Sequence, residues 1–273
     1  MENNTIIKGF KYRLYPNAEQ QILINKTFGC VRFVYNQLLA KKINLYKTNK
    51  KFISKTDCNN YCNRELKKQY VWLKEVDKFA LTNSIYHLDN SYQKFFKEHT
   101  GFPKFKSKHN HYYSYTTNFT NNNIKVDFEN NKVQLPKLKW IKCKLHRKFK
   151  GKILFATISK VPSGKYFVSF NVECKHKIIS QNNNKIGMDL GIKDLLITSD
   201  GVVYDNKRLT YKYENKLTKL QRQLCKKKLH SNNYKKQTKK IAKLHEKISN
   251  IRLNNLHQIS SQIIRENQFI FSE

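Results

Sequence analysis

Acidic side chains are scarce in this sequence: 19 Asp and Glu stand against 54 Lys and Arg, a formal net charge of +35. Such an excess repels itself in a compact chain unless a polyanion neutralises it. Nucleic acid is the partner this implies, with Lys and Arg releasing counterions from phosphates. Lys and Asn abound together, which adds a codon component, but acidic residues are not raised alongside. Long apolar runs are missing too. Nothing approaches the roughly 18 residues of a membrane span, and Met1 to Leu14 lack the apolar core of a secretory signal. No basic amphipathic helix at the start supports a membrane surface as the polyanion. Cysteines are few and scattered (Cys30, Cys58, Cys62, Cys143, Cys174, Cys225), and the Cys58–Cys62 spacing is not that of a zinc-ribbon pair. All six read as reduced thiols of a cytoplasmic protein.

What is present begins as a strand, Thr5 to Tyr15, ended by Pro16. Asn17 can cap a helix from Ala18, with Glu19 well placed in its first turn. Ile22, Phe28, Val31, Tyr35, Leu38, Leu39 and Ile43 recur at helical spacing to about Tyr46. Gly29 either interrupts that helix or allows a close helix crossing. A basic segment, Lys47 to Lys55, leads to a helix capped by Asp57 and running through Leu66. A further helix, about Ala80 to Glu98, aligns Leu81, Ile85, Leu88, Tyr92, Phe95 and Phe96 along one side. Residues 17–99 thus form a helical module.

Gly101-Phe102-Pro103 breaks the helical pattern. Lys104, Lys106 and Lys108 then alternate with Phe105 and Ser107, and Tyr112, Tyr113, Tyr115 and Phe119 follow. Two readings are open: cations and aromatics that neutralise phosphates and stack bases, or a β-rich surface with its aromatics inside. From Ile124 to Val172 the texture is β. Ile124–Phe128 and Lys132–Leu135 flank a turn at Glu129-Asn130-Asn131, and Ile153–Val161 and Tyr166–Val172 flank Pro162-Ser163-Gly164-Lys165. Short strands at this spacing predict a small barrel or sandwich. The early strand would complete it, making the helical module an insertion. Lys175 to Asn184 reads as a linker.

Lys185-Ile186-Gly187-Met188-Asp189-Leu190-Gly191-Ile192-Lys193 alternates apolar and non-apolar residues. A strand would put Ile186, Met188, Leu190 and Ile192 on one face. The other face would carry Asp189 between two glycines, which allow close approach of a ligand or backbone. A half-buried strand with a solvated Asp fits the pattern; so does a carboxylate placed for a metal-bound phosphodiester. Leu195–Thr198, a turn at Asp200-Gly201 and Val202–Tyr204 give a hairpin. Leu217, Leu220 and Leu224, then Ile241, Leu244, Ile248, Ile251, Leu256, Ile259 and Ile263, predict a two-helix hairpin turning at Ser231-Asn232-Asn233. Phe269-Ile270-Phe271-Ser272-Glu273 closes the chain as a strand. Three antiparallel strands, a helical excursion and a returning strand open a ribonuclease-H-like fold. A right-handed crossover would make the last strand parallel to the first. Glu273 would then approach Asp189, and a divalent cation such as Mg²⁺ would relieve their repulsion.

The chain here resembles the TnpB (OrfB) family of insertion-sequence proteins, relatives of type V CRISPR nucleases. The motifs that carry the resemblance are Phe10-Lys11-Tyr12-Arg13-Leu14-Tyr15-Pro16, Arg32-Phe33-Val34-Tyr35-Asn36-Gln37-Leu38, Phe102-Pro103-Lys104-Phe105-Lys106-Ser107-Lys108, Gly187–Lys193 and Ile263-Ile264-Arg265-Glu266-Asn267. It implies a mixed α and β, multidomain fold. Residues 1–16 and 100–177 would make a wedge-like β-barrel, 17–99 an inserted recognition domain, 178–184 a linker, and 185–273 an incomplete RNase H-like (RuvC) nuclease domain. It also implies a transposon-encoded guide RNA, a double-stranded DNA target read by base pairing, and a short adjacent motif read by protein. Asp189 and Glu273 would be catalytic ligands of Mg²⁺ or Mn²⁺. Lys104, Lys106 and Lys108 are candidates for nucleic-acid contact; Arg32, Tyr35 and Asn36 are candidates for either contact or packing. The family's third catalytic Asp and its four-cysteine zinc ribbon would lie beyond residue 273. A C-terminally truncated chain is therefore expected, with no zinc. Its activity stands open between an RNA-guided endonuclease, a catalytically dead RNA- or DNA-binding protein, and a basic structural protein.

Overall fold

A computed structural model describes residues 5–109, 113–175 and 183–272. The chain divides into two compact units, Met1–His176 and Lys177–Glu273.

The first unit is built on β1 (Thr5–Tyr15), whose alternation buries Phe10, Tyr12 and Leu14 while Lys11, Arg13 and Tyr15 point the other way. Helix α1 (Ala18–Asn49) follows directly. Asn17 and Gln20 close a capping box, with Gln20 N donating to Asn17 Oδ1 (2.8 Å) and Asn17 N to Gln20 Oε1 (3.0 Å). The helix runs unbroken through Gly29, and a Cβ there would meet nothing within 4 Å, so neither a break nor a close crossing explains this glycine. Gly29→Ala is therefore expected to stabilise the chain by about 0.5–1 kcal/mol, seen as a rise in melting temperature.

α2 (Lys55–Tyr61), a π turn at Cys62–Leu66, α3 (Lys67–Gln69) and a 3₁₀ turn at Val71–Lys74 lead to α4 (Lys78–Lys97). Ser54, not Asp57, caps α2; Asp57 sits one turn in and returns its carboxylate to Ser54 N. The expected cap was one turn late because Ser and Asp both suit the position, and Asp at the third helical residue completes the box. α4 packs on α1, where the buried Ser84 hydroxyl donates to Val31 O at 2.7 Å.

The strands that follow are β2 (Tyr113–Asn118), β3 (Lys125–Asp127), β4 (Lys132–Leu135), β5 (Lys139–Lys144), β6 (Lys152–Lys160) and β7 (Tyr166–Lys175). With β1 they make one curled antiparallel sheet, a half-barrel, in the order β2-β6-β7-β1-β5-β4-β3. The small barrel or sandwich expected from the sequence is thus an open half-barrel among the described residues, with β2 and β3 as its two edges. β3 has only three residues, and α4 instead covers the β2 edge, Asn83 Nδ2 donating to Thr116 O and Asn118 Oδ1, each at 3.0 Å. Tyr12, Phe149 and Phe170 cluster inside the curl, and Phe28 meets Tyr113 and Tyr115 where α1 crosses β2. Tyr113, Tyr115 and Phe119 therefore pack inward; Tyr112 lies outside the described residues. Cys30, Cys58, Cys62 and Cys143 are buried free thiols, and burial pushes Cys30 up to about 11 and Cys143 to about 12, well away from reactive thiolates.

The second unit holds a four-stranded sheet, β10-β9-β8-β11, from β8 (Lys185–Asp189), β9 (Asp194–Thr198), β10 (Val203–Asp205) and β11 (Phe269–Ser272). β8, β9 and β10 are antiparallel, whereas β11 returns parallel to β8. Between them lie α5 (Leu209–Cys225) and the 35-residue α6 (Asn232–Glu266), paired as a hairpin. The turn comes before Ser231, which caps α6; His230, at φ 62°, is the left-handed residue that makes it, so Asn232 and Asn233 open the helix rather than the turn. Buried Gln237 fastens the pair by donating to Leu220 O (2.9 Å) and Gln223 Oε1 (3.1 Å). Ile263 and Ile259 of α6 cover Ile186, Met188 and Leu196 of the sheet. Among the described residues no helix is long and apolar enough to cross a membrane.

Candidate functional site

β8 ends at Asp189, four residues short of the alternating run that suggested it. Leu190 and Ile192 leave the sheet and are 67 % and 92 % exposed. The reason is Gly191, where a Cβ would come within 2.9 Å of Asp194 O: only glycine lets the chain turn back this tightly into β9. Asp189 therefore stands at the strand's C-terminal end, exposed, and among the described residues its carboxylate has no hydrogen-bond or ion-pair partner. Gly187 serves the hairpin rather than a ligand, exchanging hydrogen bonds with Ser199 (Gly187 N to Ser199 Oγ, 3.0 Å; Ser199 N to Gly187 O, 2.9 Å). β11 runs alongside with Phe271 opposite Gly187 and Ser272 opposite Met188, one step before Asp189. Glu273 lies outside the described residues.

An exposed, unpartnered carboxylate oxygen at a strand end suits a hard divalent cation. Among the described residues, however, there is no group of three His, Cys, Asp or Glu that could hold a metal ion. Asp189 by itself offers one exposed carboxylate at the strand end.

In the first unit, the basic segment after Pro103 is an irregular loop, exposed from Lys104 to His109 with no alternation of buried and exposed residues. Phe105 is 57 % exposed, while the Lys106 ammonium folds onto the buried Tyr35 ring, 4.0 Å from its centroid. Desolvation there lowers the Lys106 pKa. Asn36 grips the same residue by its backbone: Lys106 N donates to Asn36 Oδ1 (2.8 Å) and Asn36 Nδ2 to Lys106 O (2.9 Å). Tyr35, Asn36 and Lys106 are therefore brought together as the anchor of the loop. Lys104, Lys106 and Lys108 are all exposed, and half-buried Arg32 lines a small cleft with Lys106 and Ser107. Asn36→Ala removes both backbone contacts and is expected to cost about 1–2 kcal/mol of loop anchoring. Limited tryptic cleavage at Lys104 and Lys108 should then run about five- to tenfold faster, with little change in global melting.

A second basic surface escaped the sequence reading. On the outer face of the half-barrel, Lys144 lies directly opposite Arg13, and Lys142 opposite both Lys132 and Tyr15. Like charges paired across a sheet are destabilising unless something neutralises them. Exposed Tyr15 and Trp140 share this face, the Arg13 guanidinium lying 4.9 Å from the Tyr15 ring centroid. The missed signal was the alternation of Lys139-Trp140-Ile141-Lys142-Cys143-Lys144, which is β5. A third feature is a cavity of about 800 Å³ between α1 and α4, walled by Tyr46, Phe52, Tyr92, Phe95, Phe96 and Phe102. Its signal was an aromatic, Phe52, inside an otherwise basic stretch.

Two family models match: one described as "Helix-turn-helix domain" over residues 1–51 and one described as "Probable transposase" (OrfB of IS605) over residues 169–270. The first name does not describe the local structure, since residues 5–51 form β1 and the single helix α1. The "Putative RNA-guided DNA endonuclease InsQ" of Escherichia coli K12 is 30% identical over 98% of this chain. A "Putative RNA-guided DNA endonuclease" of Streptomyces pristinaespiralis is 29% identical over 97% of it. The chain spans 66% of the length of each of these relatives. In fold it is similar to Cas12f1, solved as a complex with sgRNA and target DNA, with a TM-score of 0.53 at 12% identity, covering 99% of this chain and 81% of that one. From both ends of the sequence to the architecture between them, the chain belongs to the TnpB (OrfB) family.

Proposed function

We propose that this chain acts in RNA-guided cleavage of double-stranded DNA, with a RuvC-like site in its second unit that uses Mg²⁺ or Mn²⁺. The observation that supports this most is the parallel pairing of β11 with β8, where Ser272 stands beside Met188 and the residue that follows each of them in the sequence is a carboxylate, Glu273 and Asp189. In this reading residues 1–16 and 100–177 are a wedge-like domain, 17–99 a recognition domain, and 185–273 the RNase H-like part. Asp189 and Glu273 would hold the cation, whose chemistry when bound is to polarise a phosphodiester and lower the pKa of water. The chain's own cations bind and orient: Lys104, Lys108 and Arg32 around the Asn36-anchored loop, and the Arg13, Lys142 and Lys144 rows of the half-barrel. Guide RNA supplies sequence recognition by pairing, so the protein need contact only backbone and shape.

A second reading is a guide-RNA and DNA binder without catalysis. It is favoured by the single partnerless carboxylate at the described part of the site. The two separate in one assay. The chain is purified with its co-expressed guide RNA and offered matched and mismatched duplex DNA with Mg²⁺. Guide-dependent strand cleavage is the expected result; guide-dependent binding with intact DNA would establish the binder instead.

A further inference from the structure

We infer that the aromatic cavity between α1 and α4 is a binding site for an unpaired RNA nucleotide, its base stacked on one of the Phe52 and Phe96 rings and edge-on to the other. This rests on the chain binding nucleic acid, but it assigns residues and a ligand that the acidic site does not involve. Phe52 and Phe96 are 69 % and 55 % exposed, and their centroids are 6.3 Å apart at 80°, so the cavity offers two ring faces in different planes. Neither is free to collapse. Phe52 sits in a short loop pinned by the left-handed C-cap Lys50 and the Ser54 capping box, and Tyr46 braces it at 4.9 Å. Phe96 is held by Phe95 (5.0 Å) and Tyr92 (6.3 Å, 24°) on α4. At about 800 Å³ the space is of the size that takes a small organic ligand.

Charge decides the occupant. Lys42, Lys47 and Lys97 line the cavity against one acidic residue, Asp89, and the Lys42 ammonium already lies 5.0 Å from the Tyr92 ring centroid. Rings below and ammonium groups around them match a base and its flanking phosphates. A second copy of a +35 chain would bring like charge to like charge. Asp89 selects the sugar. Its Oδ2 accepts from Gln93 Nε2 at 3.0 Å, which leaves Oδ1 to accept from a ribose 2′-hydroxyl, a donor that DNA lacks.

The test uses the full chain with short oligoadenylate RNA, the same sequence as DNA, and an RNA of the same length with abasic positions. The wild type should bind the intact RNA more tightly than either of the others. Phe52→Ala and Phe96→Ala should each weaken intact RNA about tenfold and leave the abasic RNA unchanged, whereas Phe52→Trp, which keeps a ring face at that position, should bind intact RNA as the wild type does. Asp89→Asn should narrow the gap between RNA and DNA. Equal affinity for intact and abasic RNA, or no effect of either alanine variant, overturns the cavity while the chain remains a nucleic-acid binder. Failure to bind any of the three overturns both readings. Sedimentation showing a dimer that Phe52→Ala splits would assign the cavity to a second copy and also overturn the inference.

Discussion

Raising monovalent salt from about 50 to 200 mM is expected to weaken RNA binding by about 10³-fold or more, with log affinity falling linearly in log salt. The reason is arithmetic before it is geometry. Nineteen carboxylates cannot pair with 54 cations, whatever the arrangement, and +35 remains. Internal ion pairs such as Lys26–Glu75 and Lys41–Glu65 spend few of them. The half-barrel then concentrates the remainder, because β1, β4 and β5 set Arg13 opposite Lys144 and Lys132 opposite Lys142. Such pairs persist at a cost unless phosphates sit between them. Each phosphate neutralised releases about one counterion on duplex and slightly less on single strands. Replacing Lys142 and Lys144 by Gln should therefore reduce the salt slope by about one to two and leave base preference alone. It should also raise the melting temperature of the free chain, since the like-charge pairs disappear. A salt slope near zero would remove the electrostatic argument for an RNA partner.

The parts of the fold that were legible are those where local chemistry and tertiary packing agree. β1 and its Pro16 end, the Asn17 cap, β4 and the Asp200-Gly201 turn follow from residue type alone, with Gly201 at φ +83° as a hairpin turn requires. β5 was hidden because its outward positions are lysines and an exposed Trp140, so the apolar half of the alternation amounts to Ile141 and Cys143. Lys106 was misleading for a related reason. Period two implies a strand, but the segment is a loop whose course is set by Asn36, seventy residues away, and no local pattern records that partner. At the acidic site the pattern ran too far: Leu190 and Ile192 continue the apolar period, yet the crowding at Gly191 turns the chain after Asp189. The parallel return of β11 was legible because crossover handedness restricts where a strand after two helices can go.

Asp189→Asn is expected to lower guide-dependent DNA cleavage by at least about 100-fold while RNA and DNA binding stay within about twofold. A metal acting as Lewis acid supplies several kcal/mol of transition-state stabilisation, and each 1.36 kcal/mol is tenfold in rate. Asn keeps the size and one carbonyl oxygen but not the charge that holds a divalent cation. The substitution should not disturb folding, because Asp189 is exposed at a strand end and without a side-chain partner among the described residues. Glu273→Gln should behave alike if the β11 register carries one residue further. The control lies in the same sheet: Asp194 and Asp205 face each other on β9 and β10, on the side of the sheet away from β11. Asn at either of those positions should leave cleavage unchanged if the cation is held beside the parallel pair rather than by the acidity of this unit at large. Cleavage that survives Asp189→Asn but falls with Asp194→Asn would move the metal to the hairpin edge and separate β11 from the chemistry.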